Sequence, residues 1–165
     1  MPVVGPGEGA LVTALGSTYT AKTTGELTGG AYGLVEEEFW GTPTPLHTHT
    51  DAEEAFYVLS GHAAVWTDGA EIEARPGTFL LVPRGTPHAL RRLTEEPVRM
   101  LTLISAPGLE RFFEAVVQEG EEALLAEPER LLQLATAYGT EIIGDYPTSQ
   151  EPPPALTTEA RLSCR

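Results

Sequence analysis

Cysteine is almost missing from this 165-residue chain. The single Cys164 stands next to the end, so no internal disulfide can form and nothing in the thiol count asks for an oxidising compartment. Basic residues are scarce too: 10 Lys and Arg face 24 Asp and Glu, giving a formal net charge of -14. Such a chain lacks the concentrated positive surface that a phosphate backbone requires, so nucleic acid is not an expected partner. Long apolar runs are absent, and the opening MPVVGPGEGALV has neither the basic nor the extended apolar part of a secretory signal. No membrane association and a cytoplasmic location are therefore expected. No internal repeat of solenoid period is present.

What the chain does hold, at 41% hydrophobic residues, is enough apolar material for one compact domain. From Leu11 to about Met100 it breaks into short segments, many β-branched or aromatic, such as EAFYVLSG, HAAVWTDG and TFLLVPRG, each closed by Gly, Pro or Asp. That density of turn signals predicts an all-β sandwich or barrel. Asp68-Gly69, between HAAVWT and AEIEA, is a two-residue hairpin signal, because both positions tolerate positive φ.

After Ser105 the texture becomes helical, rich in Leu, Ala and Glu. Pro107 and Pro128 suit first helical turns and Gly120 and Gly139 suit positions just past helix ends, which predicts two short helices. Phe112, Phe113, Val116 and Val117 form one apolar stripe and Leu131, Leu132, Leu134 and Ala135 another, so each helix should lie on the β domain, as core packing or as the closure of a pocket. From Pro147 onward, three consecutive prolines among scattered polar residues predict a flexible tail.

The chemistry concentrates in HTHTDAEEAFYVLSG. Residues i and i+2 of a strand share a face, so His47 and His49 can aim two imidazoles at one point. Glu54 lies five residues beyond His49, an odd step that would throw its carboxylate to the other face of an uninterrupted strand. A hairpin or bend at Thr50 to Glu53 is expected to reset the parity. An H-x-H pair also serves as ordinary surface or core; His88, after the Pro-Arg-Gly turn in a chain with only four histidines, is what points to a metal. The fourth, His62, reads as an exposed strand residue.

These residues carry a family resemblance. GTPTPLHTHTDAEEAFYVLSG resembles the first cupin motif: a glycine, five residues, H-x-H, four residues, Glu54, six residues and Gly61. The six-residue gap selects Glu54 over Glu53. GTFLLVPRGTPHALRR is similar to the second motif, with Gly77, Pro83, Gly85 and His88 in order. Arg92 departs from it, standing where the family usually has asparagine. The helical end looks like that of single-domain bacterial quercetin 2,3-dioxygenase-like cupins.

The resemblance implies a double-stranded β-helix, a jelly-roll barrel with short C-terminal helices. The expected organisation is N-terminal strands over residues 1–28, the barrel over 29–105, a helical segment over 106–146 and the tail over 147–165. One metal ion is expected inside, held by His47, His49, Glu54 and His88. Three imidazoles and a carboxylate suit a divalent transition metal, with iron, manganese, nickel, cobalt, copper and zinc all compatible.

Phe56 and Val58, with Leu90, are expected on the pocket wall or as core side chains, joined by Leu80, Val82 and part of Trp40 or Trp66; Arg92 is expected either at the mouth, where it would attract a carboxylate or phenolate, or as a solvated surface arginine. Glu36 to Glu38 read as a solvated strand edge. By resemblance, the enzyme would add dioxygen across the ring of a deprotonated hydroxy-ketone such as a flavonol, with Glu54 as ligand and acceptor of the hydroxyl proton. The rival readings are a redox-neutral cyclase, isomerase or decarboxylase using the metal as Lewis acid, a non-catalytic ligand-binding module, and a sensor domain with a separate partner. A homodimer is expected, because the outward Ala55, Tyr57 and Leu59 face needs cover.

Overall fold

Alternation along single strands sets the architecture. In Val98–Ser105 the side chains of Val98, Met100, Thr102 and Ile104 are buried while Arg99 and Leu103 are exposed, the period of a strand with one face on a core. The computed structural model describes residues 2–148. In chain order the strands are β1 (Ala10–Ala14), β2 (Ser17–Thr23), β3 (Gly33–Phe39), β4 (Leu46–His49), β5 (Glu53–Ser60), β6 (Ala63–Thr67), β7 (Ala70–Ala74), β8 (Phe79–Val82), β9 (His88–Arg92) and β10 (Val98–Ser105). Helices α1 (Glu110–Glu119), α2 (Glu121–Ala126) and α3 (Pro128–Ala137) follow, and β11 (Thr140–Gly144) comes last.

The strands form two antiparallel sheets, a six-stranded one ordered β1-β2-β3-β10-β5-β8 and a five-stranded one ordered β11-β4-β9-β6-β7. Together they make a double-stranded β-helix, as the sequence led one to expect. The β6–β7 hairpin closes through Asp68 and Gly69 at φ of 50° and 80°, with Thr67 opposite Ala70. Gly41, which opens the first motif, is needed for close packing: a Cβ built there would lie 2.6 Å from the Gly16 Cα. The Trp40 and Gly41 amides both donate to the Gly16 carbonyl, at 3.0 and 2.7 Å, which docks the segment leading into β4 on the β1–β2 turn.

The apolar interior falls into two clusters. One lies between the sheets and contains Phe39, Phe56, Val58, Val65, Leu90 and Met100. The other gathers Ile104 and Ala14 beneath Leu109, Phe112, Val116, Leu124 and Ala135 of the helical segment.

Several expectations need correction. Residues 106–146 hold three helices rather than two, and the segment ends in β11, which pairs with β4. Pro128 does occupy the first turn of α3, but Pro107 precedes α1, which starts at Glu110. Val117 and Leu132 are exposed, so each helical stripe is narrower than its sequence suggests. The tail expected over 147–165 lies, from residue 149 on, outside the described residues. Among the described residues no helix is long and apolar enough to cross a membrane.

Candidate metal centre

β4 and β9 meet at one register position, His47 opposite His88. His49 projects to the same side as His47 from the same strand and has Thr140 of β11 as its cross-strand partner. All three imidazoles therefore come from the five-stranded sheet. Glu54 comes from the other sheet, near the start of β5. The parity problem is thus solved by a change of sheet: the chain leaves β4 at His49, crosses between layers through Thr50 to Ala52, and enters β5 with Glu54 facing inward.

The four ligand atoms lie within 4.8 Å of one another. The Glu54 Oε2 stands 3.2 Å from the Nε2 atoms of both His49 and His88. His88 is fully buried, and His49 and Glu54 nearly so. Each imidazole is oriented through its other nitrogen. His47 Nδ1 donates to the Pro45 carbonyl at 2.8 Å and His88 Nδ1 to the Thr86 carbonyl at 3.0 Å. His49 Nδ1 meets the Thr140 hydroxyl at 3.2 Å. A carbonyl only accepts, so Nδ1 carries the proton in His47 and His88, and their Nε2 lone pairs are left for the centre.

This donor set fits a divalent transition metal. With Nδ1 protonated, the Nε2 of His88 offers a lone pair to a carboxylate oxygen at hydrogen-bond distance, and two lone pairs repel unless a cation or a further proton lies between them. The electrostatics agree. Burial alone would raise the Glu54 carboxyl, but hydrogen bonds and charge from His49 and His88 outweigh it and hold the group far below the usual carboxylate range. Burial, followed by the neighbouring imidazoles, lowers His47 to about 4, which keeps it neutral and ready to ligate. His88 loses proton affinity through burial but gains more from Glu54, and is raised overall.

His47, His49 and Glu54 open onto a cavity of about 560 Å³ lying between the two apolar clusters, while His88 is buried off its wall. Phe56 and Leu90 line it, with Trp40 at one side and Phe112, Phe113 and Leu131 of the helices as a roof. The helices therefore both pack the second cluster and supply part of the cavity wall. Val58 stands off the wall, in the core between the sheets, as do Leu80 and Val82. Arg92 is also off the wall: its Nη1 donates to the carbonyls of Thr94 and Glu95 at 3.1 and 2.6 Å, tying the side chain to its own turn rather than to the mouth. Neither Trp66 nor His62 reaches the cavity, and His62 lies 3.3 Å from Glu73.

Two polar residues escaped the sequence reading. Glu37 belongs to an acidic run that read as a solvated edge, yet β3 is an interior strand and Glu37 is buried on the cavity wall. The signal was its parity with Val35 and Phe39, which are buried on the same face. Thr140, the partner of His49, sits in a short β-branched run just after Gly139 that could have been read as a strand.

Residues 40–104 match the cupin domain family. Over 68 residues, 41% of this chain, the sequence is 44% identical to quercetin 2,3-dioxygenase of Bacillus subtilis, and it spans only 20% of that enzyme's length. Among solved structures, a predicted oxalate decarboxylase from Thermotoga maritima superposes with a TM-score of 0.57 at 16% identity, covering 64% of this chain and 99% of the other. The cupin domain of Schizosaccharomyces pombe Cnp3 gives 0.52 at 16% identity, covering 62% and 72%. At such identities the two structures establish the fold alone.

Proposed function

We propose that this chain, whose residues 40–104 match the cupin domain family, is a metal-dependent dioxygenase acting on a flavonol or a related phenolic hydroxy-ketone. The observation that carries the reading is the convergence of His47, His49, Glu54 and His88, the first three of them lining a cavity walled by Phe56, Leu90, Phe112 and Phe113. Apolar walls with a few convergent polar groups suit a flat aromatic ligand bearing one or two oxygen handles, and the volume is of the size that takes such a molecule. The named activity of the Bacillus subtilis relative supports the same choice. A divalent transition metal held by these four residues supplies Lewis acidity and, when redox-active, a path for electrons to dioxygen.

The chain's own residues do the rest. Pro45, Thr86 and Thr140 fix the imidazole orientations, so the ligands need little rearrangement. Glu54 serves as a ligand; the proton-accepting role that the family resemblance would give it sits poorly with an Oε2 shared between two imidazoles.

The working unit in this reading is a homodimer. The outer face of the six-stranded sheet leaves Tyr57, Leu59, Phe79, Leu81 and Leu103 exposed, and β8, which carries two of them, is an edge strand.

Metal analysis of the isolated protein, with oxygen uptake measured against a panel of flavonols, tests the function. Stoichiometric metal and oxygen-dependent ring cleavage are expected, and His88→Ala should lose both. Oxygen-independent conversion of the same compounds would instead support a redox-neutral enzyme, and tight binding without conversion a non-catalytic module.

A further inference from the structure

The cavity holds a second carboxyl group outside the ligand set. Glu37, midway along β3, is 8% exposed and faces the same space as Glu54. Its two oxygens are held separately: Ser17 Oγ donates to Oε1 at 2.9 Å and Thr102 Oγ1 donates to Oε2 at 3.2 Å. These hydroxyls come from β2 and β10, the strands on either side, so the carboxyl is clamped from both flanks. No basic side chain takes part in the clamp. A buried acid without a counter-charge is costly unless it has work to do or keeps its proton.

We propose that Glu37 is the catalytic acid–base of this cavity, taking the proton of a substrate hydroxyl as the substrate ionises and returning it to the product. The assignment rests on the dioxygenase reading for the nature of the substrate. In the forward step the substrate O–H bond breaks and an O–H bond forms on a Glu37 oxygen. The electron pair stays on the substrate oxygen, and no oxidation state changes. The reverse transfer to a product oxygen restores the carboxylate.

Two features favour Glu37 over Glu54 in this role. Glu54 is engaged by His49 and His88, whereas Glu37 is clamped only by neutral hydroxyls that rotate to suit either protonation state. Burial, helped by the charge of Glu54 and opposed by Ser17, Thr102 and Tyr19, raises Glu37 to about 7, where a group accepts and releases protons with least penalty. The other titratable groups on the cavity wall are Tyr19 from β2, His47 and His49 from β4, Glu54 from β5, Glu121 from α2 and Glu110 from α1. Tyr19, stacked on Phe113 with ring centroids 3.7 Å apart, is itself raised well above the usual phenol, first by burial and then by Glu37, and stays neutral.

The test uses the full chain loaded with zinc, which binds without redox turnover. Infrared titration should show a carboxylic-acid C=O band in the wild type that fades as pH rises and is missing from Glu37→Gln. Ser17→Ala, which keeps the carboxyl and removes one donor to its charged form, should move the midpoint of that fading upward. With 3-hydroxyflavone as probe, the bound hydroxyl should ionise in the wild type and require a pH at least about one unit higher in Glu37→Gln. In protein carrying its native metal, Glu37→Gln should lower kcat by about 100-fold or more with unchanged metal content, and the acidic limb of the pH profile should disappear. Spectra and pH profiles identical in wild type and Glu37→Gln would overturn the proposal. Fast flavonol turnover by Glu37→Gln would overturn it while leaving the dioxygenase reading intact. A titrating Glu37 band in a protein that ionises the probe but cleaves no flavonol would uphold the acid–base and sink the dioxygenase reading.

Discussion

Glu37 and Glu54 have the same side chain, share one cavity and are driven in opposite directions by their neighbours. Imidazoles around Glu54 stabilise its charge, while neutral hydroxyls around Glu37 do so only partly against burial. The difference has a consequence for folding. Glu37 is raised from 4.5 to about 7, so the folded state holds its proton more tightly than the unfolded chain. Its stabilising contribution is therefore complete below the unfolded value and is lost as pH rises through about 7. In metal-free protein, Glu37→Gln should escape that loss and gain on the order of 3 kcal/mol relative to wild type between about pH 5 and pH 8. Urea denaturation at the two pH values checks this, and parallel shifts of both proteins would contradict it. His47 acts in the other window: lowered to about 4, it contributes stability that is present above its usual 6.5 and lost as pH falls towards 4.

At the scale of elements, the centre depends on where strands meet more than on any one strand. β4 is only four residues long, yet it carries two ligands because β9 brings His88 opposite His47 and β11 brings Thr140 beside His49. A strand that follows three helices thus completes a site whose ligands all precede them. Thr140→Val keeps the shape of the side chain and removes the hydroxyl that meets His49 Nδ1. The expected result is a 10- to 100-fold weaker metal affinity, as for other partners of ligating imidazoles, with the fold intact by circular dichroism. Competition with a chromophoric chelator measures it, and an unchanged affinity would show that β11 only fills space.

For the whole molecule, the helices determine which surfaces remain open. α1 packs on β1 and α3 on β11, which covers one end of the barrel and leaves the outer face of β5, β8 and β10 bare among the described residues. Phe79 and Leu81 are 62% and 56% exposed on an edge strand, where a second copy of the chain could pair its own edge and bury both. Replacing both by glutamate should convert a dimer to a monomer in sedimentation equilibrium while the metal content stays the same. Wild-type protein that sediments as a monomer would refute the homodimer.

The strand-rich class was legible in the spacing of the turn residues, and the candidate ligands in the fixed intervals of two motifs that resemble those of a known family. The local part of this is the shared face of His47 and His49, since a strand alternates every second residue in any fold that keeps it. The remaining features depend on pairing between segments far apart in the chain. Glu37 sits between two other glutamates and reads as solvated until β2 and β10 are found on either side of it. Arg92 shares the parity of His88 yet turns to the carbonyls of Thr94 and Glu95, which the loop after β9 places within hydrogen-bond reach. The change of sheet that brings Glu54 to the imidazoles follows from the closure of the barrel, since only when two sheets face each other can residues five apart on the chain point at one centre from opposite sides.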